Sequence, residues 1–275
     1  EHVTVALSGD GADEAFAGYR RHVFHAAEER ARGALPLSLR RAVFGPLAAL
    51  YPKADWAPRP LRAKTTFQSL ALSGEEAYAR ALGVMSPELR GRIFSPAMKR
   101  ELGGYRAEQP LIELMRNAPA RSGLDRAQYA DLKFWLPGDI LTKVDRTSMA
   151  VSLEAREPLL DHRIFDFAWR LPENQKFRGG KGKWLLRKVL GRYVPDNLTD
   201  GPKQGFSVPI ADWLRGPLRD WAEDLLSEKR LSEDGLLEPS VVRHTWKRLL
   251  AGHPGTDARI WTVLMAQAWR EKWGN

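Results

Sequence analysis

The sequence predicts a mostly α-helical chain with a remnant of sheet at its start, one core strand at residues 3–7. Three observations lead there. Val3-Thr4-Val5-Ala6-Leu7 is the one convincing strand, β-branched and apolar, stopped by Ser8-Gly9-Asp10-Gly11. Helical patterning dominates nearly everything after it. No internal repeat, low-complexity tract or linker divides the 275 residues, so a single domain over 1–275 is expected.

In chain order, Ala12 to about Glu29 reads as the first helix, with Phe16, Tyr19 and Val23 three and four apart. Pro36 to Leu50 and Pro60 to about Met85 follow, the latter broken near Ser73-Gly74. Ser86 to Phe94 and Ser95 to Leu102 are short helices, each opened by a serine cap and a proline. Leu124 to Trp135 and Pro137 to Val151 form a pair separated by Pro137. Asp161 caps a helix running to Leu171, and Gly182 to Tyr193 follows a Gly- and Lys-rich loop. Trp213 to Ser227, Pro239 to Leu250 and Asp257 to Trp273 close the chain. The last carries an apolar stripe at Trp261, Leu264, Met265 and Ala268 that ends on Lys272.

Composition narrows the function classes. With 43% hydrophobic and 28% charged residues the chain is too apolar for wholesale disorder. No stretch approaches the roughly 20 apolar residues of a membrane span, and no secretion-signal layout opens the chain. Cysteine is absent, which excludes disulfides, thiolate metal sites and a cysteine nucleophile within this chain; a cytoplasmic protein is expected. The balance of 43 Lys and Arg against 34 Asp and Glu leaves a net charge of +9. That surplus can attract nucleic acid, cradle an anionic substrate or simply be a solvated surface. Because Glu1 rather than Met stands just before an apolar strand, the chain is expected to be cut from something longer.

The first loop, Ser8-Gly9-Asp10-Gly11-Ala12-Asp13-Glu14, has two glycines that permit tight turning and close ligand approach. A phosphate can dock at the helix start behind it, with Mg²⁺ bridging the carboxylates of Asp13 and Glu14 to phosphate oxygens. The structural alternative is that Asp10 caps the helix while Asp13 and Glu14 favour its positive end.

On the segment 136–151, Ile140, Leu141, Val144, Ser148 and Val151 can face a core while Lys143 and Arg146 share another side. Beyond it, Pro158 ends any helix and leaves Glu154 and Arg156 at a helix end or in a loop. Gly179-Gly180-Lys181-Gly182-Lys183 lacks the spacing and the hydroxyl of a Walker loop. Two Pro and two Gly pin Lys203 within 200–210, which suits either a solvated turn or an ammonium held ready for an oxyanion. His22 and His25 are three apart without an obvious third ligand and read as structural.

Taken together, VALSGDGADEAFAGYRRH at 5–22, KVDRTSMAVSLEAREPLLDHR at 143–163 and PKQGFSVPI at 202–210 resemble the synthetase domain of the glutamine-hydrolysing asparagine synthetase family. With the C-terminal WTVLMAQAW helix, the resemblance covers nearly the whole chain. It implies an α/β adenine-nucleotide-hydrolase-like (ATP pyrophosphatase, Rossmann-like) fold of which this chain is the helical C-terminal part. It also implies a reaction. ATP activates the side-chain carboxylate of aspartate by attack on the α-phosphate, pyrophosphate leaves, and ammonia drawn from glutamine displaces AMP.

By the same resemblance, Ser8 and Gly9 touch the nucleotide, and Asp13 gives a carboxylate to Mg²⁺. Asp10 lies near the acyl intermediate, Arg146 contacts phosphate oxygens, and Glu154 with Arg156 shapes the substrate end. Lys203 neutralises charge growing on the α-phosphate and later on the tetrahedral intermediate. A homodimer of the parent protein is allowed.

The family's Ser-Gly-Gly-x-Asp-Ser pyrophosphate loop and its glutaminase are absent from this sequence, and Glu157 stands where the family often has an apolar residue. The chain alone is therefore expected neither to hydrolyse glutamine nor to turn over usefully. Two rival readings are a relative with the same adenylation chemistry but another amine, as in β-lactam closure or peptide and sugar modification, and a basic helical module that binds nucleic acid or protein.

Overall fold

A parallel ladder ties the start of the chain to its middle. Strand β1 (Val5–Leu7) pairs with β2 (Glu154–Arg156) in the register Val5↔Glu154, Ala6↔Ala155 and Leu7↔Arg156. The computed structural model describes residues 3–52, 58, 63–195, 198 and 208–274. The chain divides into two units, Glu1–Ala81 with Glu108–Gly201, and Leu82–Ala107 with Pro202–Asn275. Among the described residues no helix is long and apolar enough to cross a membrane.

The first unit contains the ladder, and the protein is mostly helical, as its patterning predicts. Several expectations need correcting. Glu154 and Arg156 lie in a strand rather than at a helix end or in a loop. The apolar run is not a buried core strand: Leu7 is 75% exposed and Val3 65%. Apolar runs signal strands covered on both faces, but here β1 has only β2 beside it among the described residues.

The predicted first helix is broken. One turn, Ala12–Ala15, closes at Phe16, and a second helix, Arg20–Ala34, begins beyond Ala17. Ala17 sits at φ +52° although it has a Cβ, a conformation costing about 1–2 kcal/mol. Burial and a neighbouring hairpin hold it there. Ala17 is fully buried, Gly18 N–H donates to the Asp13 carbonyl at 2.8 Å, and Lys183 N–H donates to the Phe16 carbonyl at 3.0 Å.

The hairpin pairs Phe177–Arg178 with Lys181–Gly182 through Gly179 and Gly180. Both glycines have positive φ, as a type I′ turn demands, which explains the glycine-rich run without a phosphate. Pro137 also fails to separate two helices. Residues Asp131–Leu141 form a wider π-helical stretch continuous with Gly123–Ala130 and Thr142–Met149, and the wider turn accommodates the proline ring. Ile140, Leu141, Val144 and Ser148 are only half-buried, and Val151 is exposed.

In the second unit, Leu214, Leu225, Leu231, Val242, Trp246, Ile260 and Leu264 form a core. Ser86 and Ser95 cap their helices as expected, accepting from Leu89 N–H at 3.3 Å and Met98 N–H at 3.0 Å. The final helix, Asp257–Trp273, buries Ile260, Val263, Leu264 and Gln267. Its inner face is thus rotated from the predicted stripe, and Met265 is exposed.

Candidate active site

The ladder decides which of the predicted residues meet. Because β1 and β2 run parallel, their carboxyl ends lie side by side, and Ser8 N–H extends the pairing by donating to the Arg156 carbonyl at 2.8 Å. At this edge the Ser8 hydroxyl donates to Asp10 Oδ2 at 2.6 Å, and Arg156 Nε donates to Glu154 Oε1 at 2.6 Å. That bond holds the exposed Glu154 carboxyl below its ordinary range. A cavity of about 650 Å³ opens here, lined by Leu7, Arg156, Glu157, Leu160 and Arg163 among others. The carboxyl ends of parallel strands are where open α/β sheets bind ligands. A cavity of about 660 Å³ against Arg30, Phe177 and Gly179 holds none of the predicted residues, so size does not select the site.

The loop between β1 and the first turn is shaped for approach. Gly9 has open space where a side chain would stand. Gly11 is at φ +89°, and a Cβ there would collide with Leu160, so only glycine fits. Asp10 does not cap the helix: the N-cap is Gly11, without a side-chain bond, and Asp10 turns to Ser8 instead. A helix of four residues carries little dipole, so the loop's polar groups matter more than its macrodipole.

The neighbouring carboxylates divide. Asp13 Oδ1 lies 3.2 Å from Lys183 Nζ, a half-buried pair. Glu14 is 2% exposed and accepts from the Tyr19 hydroxyl at 2.6 Å. Burial raises its pKa. Glu14 therefore packs inward and is removed from any metal site. Arg146 is 82% exposed, and its one ion-pair partner among the described residues is Asp145 at 3.8 Å. It does not join the cluster. Lys203 lies outside the described residues.

A buried polar frame behind the loop escaped the sequence reading. Gln128 Nε2 donates to the carbonyls of Glu14 at 2.5 Å and Ala15 at 2.9 Å. Its Oε1 accepts from Lys176 Nζ at 2.9 Å, and that ammonium also bonds Asp125 at 3.0 Å. Lys176 is only 1% exposed. Beside this frame, Asp131 Oδ2 receives Arg21 at 2.7 Å, His22 at 2.7 Å and Tyr78 at 2.8 Å. No local pattern in the sequence foreshadows Gln128 or Lys176. For Asp131 the only hint is an acidic residue within the helical segment Leu124 to Trp135.

The site so built is an exposed parallel-strand edge with a glycine loop, paired carboxylates and two basic groups, the kind of place that handles anionic ligands. The family model for asparagine synthase matches residues 1–271. The chain is 31% identical to asparagine synthetase (glutamine-hydrolyzing) 1 of Bacillus subtilis, with 98% of this chain and 40% of that protein covered. It is 34% identical to a putative asparagine synthetase (glutamine-hydrolyzing) of Mycobacterium bovis, covering 98% of this chain and 39% of that protein. A shorter match, 26% identical over 42% of this chain and 18% of its relative, is to amidase chyE of Penicillium rubens. No solved structure matches. The chain belongs to the asparagine synthase family, and it spans about 40% of the length of the relatives it matches over its full extent.

Proposed function

We propose that this chain is part of an ATP-dependent carbon–nitrogen ligase domain of the adenine-nucleotide-hydrolase-like fold, and that residues 1–275 form one partial synthetase domain. The whole protein activates the side-chain carboxylate of aspartate as an acyl-adenylate, and ammonia from glutamine displaces AMP. The observation that carries this reading is the β1–β2 pairing, which sets the Ser8–Asp10 loop beside Arg156 at one strand edge, where Leu7 and Arg156 line a cavity. The family match across both units supports the single-domain assignment. A cytoplasmic setting accords with the lack of cysteine. Homodimerisation of the whole protein belongs to the same proposal.

In this reading Ser8 and the open face of Gly9 receive the nucleotide, and Asp10 stands by the acyl group. Arg156, held by Glu154, orients the substrate carboxylate. Arg146 and Lys203 supply positive charge to the phosphates, Lys203 during bond making at phosphorus and carbon. Mg²⁺ fits in one form only. Among the described residues no three potential ligands cluster into a protein cage. Asp13 offers a carboxylate beside the loop, however, and Mg²⁺ is commonly held by one or two carboxylates plus substrate phosphates. Bound so, the ion would neutralise phosphate charge, and Lys183 would have to release Asp13.

Oxygen-18 transfer tests the chemistry. Aspartate labelled in its side-chain carboxylate is incubated with ATP, Mg²⁺ and ammonia, using the 275-residue chain and, in parallel, the natural gene product. Attack on the α-phosphate delivers one labelled oxygen to AMP in the gene product, while the isolated chain turns over negligibly. Label appearing in inorganic phosphate would place activation at the γ-phosphate and sink the proposal. Labelled AMP from another carboxylate, with none from aspartate, would keep the ligase and change its substrate.

A further inference from the structure

The second unit contains a cavity whose charge is of one sign. It measures about 400 Å³ and lies among the helices Pro87–Ile93, Pro239–Leu250 and Asp257–Trp273. Arg92, Arg248 and Arg259 line it, together with His244, Thr245 and Thr256, and no carboxylate does. Among the described residues none of the three guanidinium groups has an ion-pair or hydrogen-bond partner.

Four other arginines of the same unit each have a carboxylate partner. Arg215 pairs with Asp212, Arg230 with Asp224, Arg243 with Glu223 and Arg270 with Asp234. Three cations lining one cavity without a counter-charge among them repel one another, and an anion between them relieves that repulsion.

The start of the final helix adds to the positive field. Thr245 and Arg248 share one helix with His244, and Arg259 lies in the first turn of the 17-residue final helix. That helix has Thr256 at its N-cap, yet the Thr256 hydroxyl donates to the His253 carbonyl at 2.8 Å, so no side chain caps the first-turn N–H groups. Asp257, in the same turn, is not a lining residue. Arginine's planar fork matches the oxygens of phosphate groups. A pocket of this volume suits a small di- or triphosphate, whereas a nucleic-acid duplex needs an extended basic surface.

We propose that this cavity is a binding site for a small multivalent oxyanion of the phosphate type. It is built from residues that share nothing with the strand-edge site, and it stands whether or not the ligase reading holds.

The test is calorimetric titration of the chain with inorganic pyrophosphate, without metal, at low and at moderate salt. The expected result is one saturable binding event that Arg248→Gln with Arg259→Gln weakens at least about ten-fold. The double substitution Arg100→Gln with Arg106→Gln makes the same charge change on exposed residues of this unit and should leave the affinity within about two-fold. Asp13→Asn and Arg156→Gln, at the strand edge, should leave it unchanged. Arg92→Gln with Arg248→Gln, both exposed, repeats the test should the Arg259 variant fail to fold.

Equal loss in the two kinds of arginine pair, or binding that never saturates, would overturn the proposal. So would loss through Asp13→Asn or Arg156→Gln while the Arg248 variants bind normally; that pattern would leave the ligase reading intact. Tighter binding of a single-stranded oligonucleotide than of pyrophosphate at equal phosphate concentration would overturn it in favour of a nucleic-acid surface.

Discussion

Gly11 has almost no latitude. Its positive φ strains any L side chain, and a methyl group would meet Leu160. Gly11→Ala should therefore destabilise the first unit by at least about 1–2 kcal/mol, read as a lower denaturation midpoint. Adding Leu160→Ala should relieve the collision but not the backbone strain, so recovery should be partial. Full recovery would show that φ is not the constraint. Gln128 offers a second test. Gln128→Glu keeps the shape but sets carboxylate oxygens against the carbonyls of Glu14 and Ala15. A cost of about 1–3 kcal/mol is expected, with faster amide exchange over residues 12–18. Unchanged exchange there would mean that the amide does not hold the first turn.

At the scale of elements, the helix Arg20–Ala34 couples stability to pH through His25. Burial first, then the positive charge of Arg32 and the neighbouring His22, lower the pKa of His25 to about 3 from an ordinary value near 6.5. The unfolded chain thus binds a proton that the folded chain refuses between those values. Stability should fall as pH drops through that window, with a slope of about 1.4 kcal/mol per pH unit from this group. His25→Asn should flatten that part of the curve in denaturant titrations at stepped pH, and an unaltered slope would exonerate His25. In the second unit, Trp246 lies fully buried in the core, so Trp246→Ala should cost about 3–5 kcal/mol by calorimetry.

For the whole molecule, the elements legible in advance are those whose signals are local. Ser86 and Ser95 announce their helices through capping chemistry, and Pro239–Leu250 and Asp257–Trp273 have the bounds their spacing predicts. Glu154-Ala155-Arg156 has no strand propensity of its own and is extended only because Val5–Leu7 pairs with it. Ala17 is similar: nothing about an alanine between Phe16 and Gly18 marks a left-handed break, and burial against the hairpin imposes it. At the site, motif resemblance names the Ser8–Asp10 loop and Arg156, and the ladder brings them to the same strand edge. Gln128 and Lys176 went unseen because a buried amide and ammonium have no periodicity to betray them.

That ladder has a consequence for biosynthesis. Val5 emerges from the ribosome long before its partner Glu154 exists. At roughly 5–20 residues per second, translation leaves Val5–Leu7 without this partner for about 8–30 s. During that interval the side of β1 that β2 later covers is an open edge that chaperones or neighbouring nascent chains can engage. Synonymous codons that slow elongation before residue 154 should therefore lower the soluble yield, and co-expressed holdase chaperones should restore it.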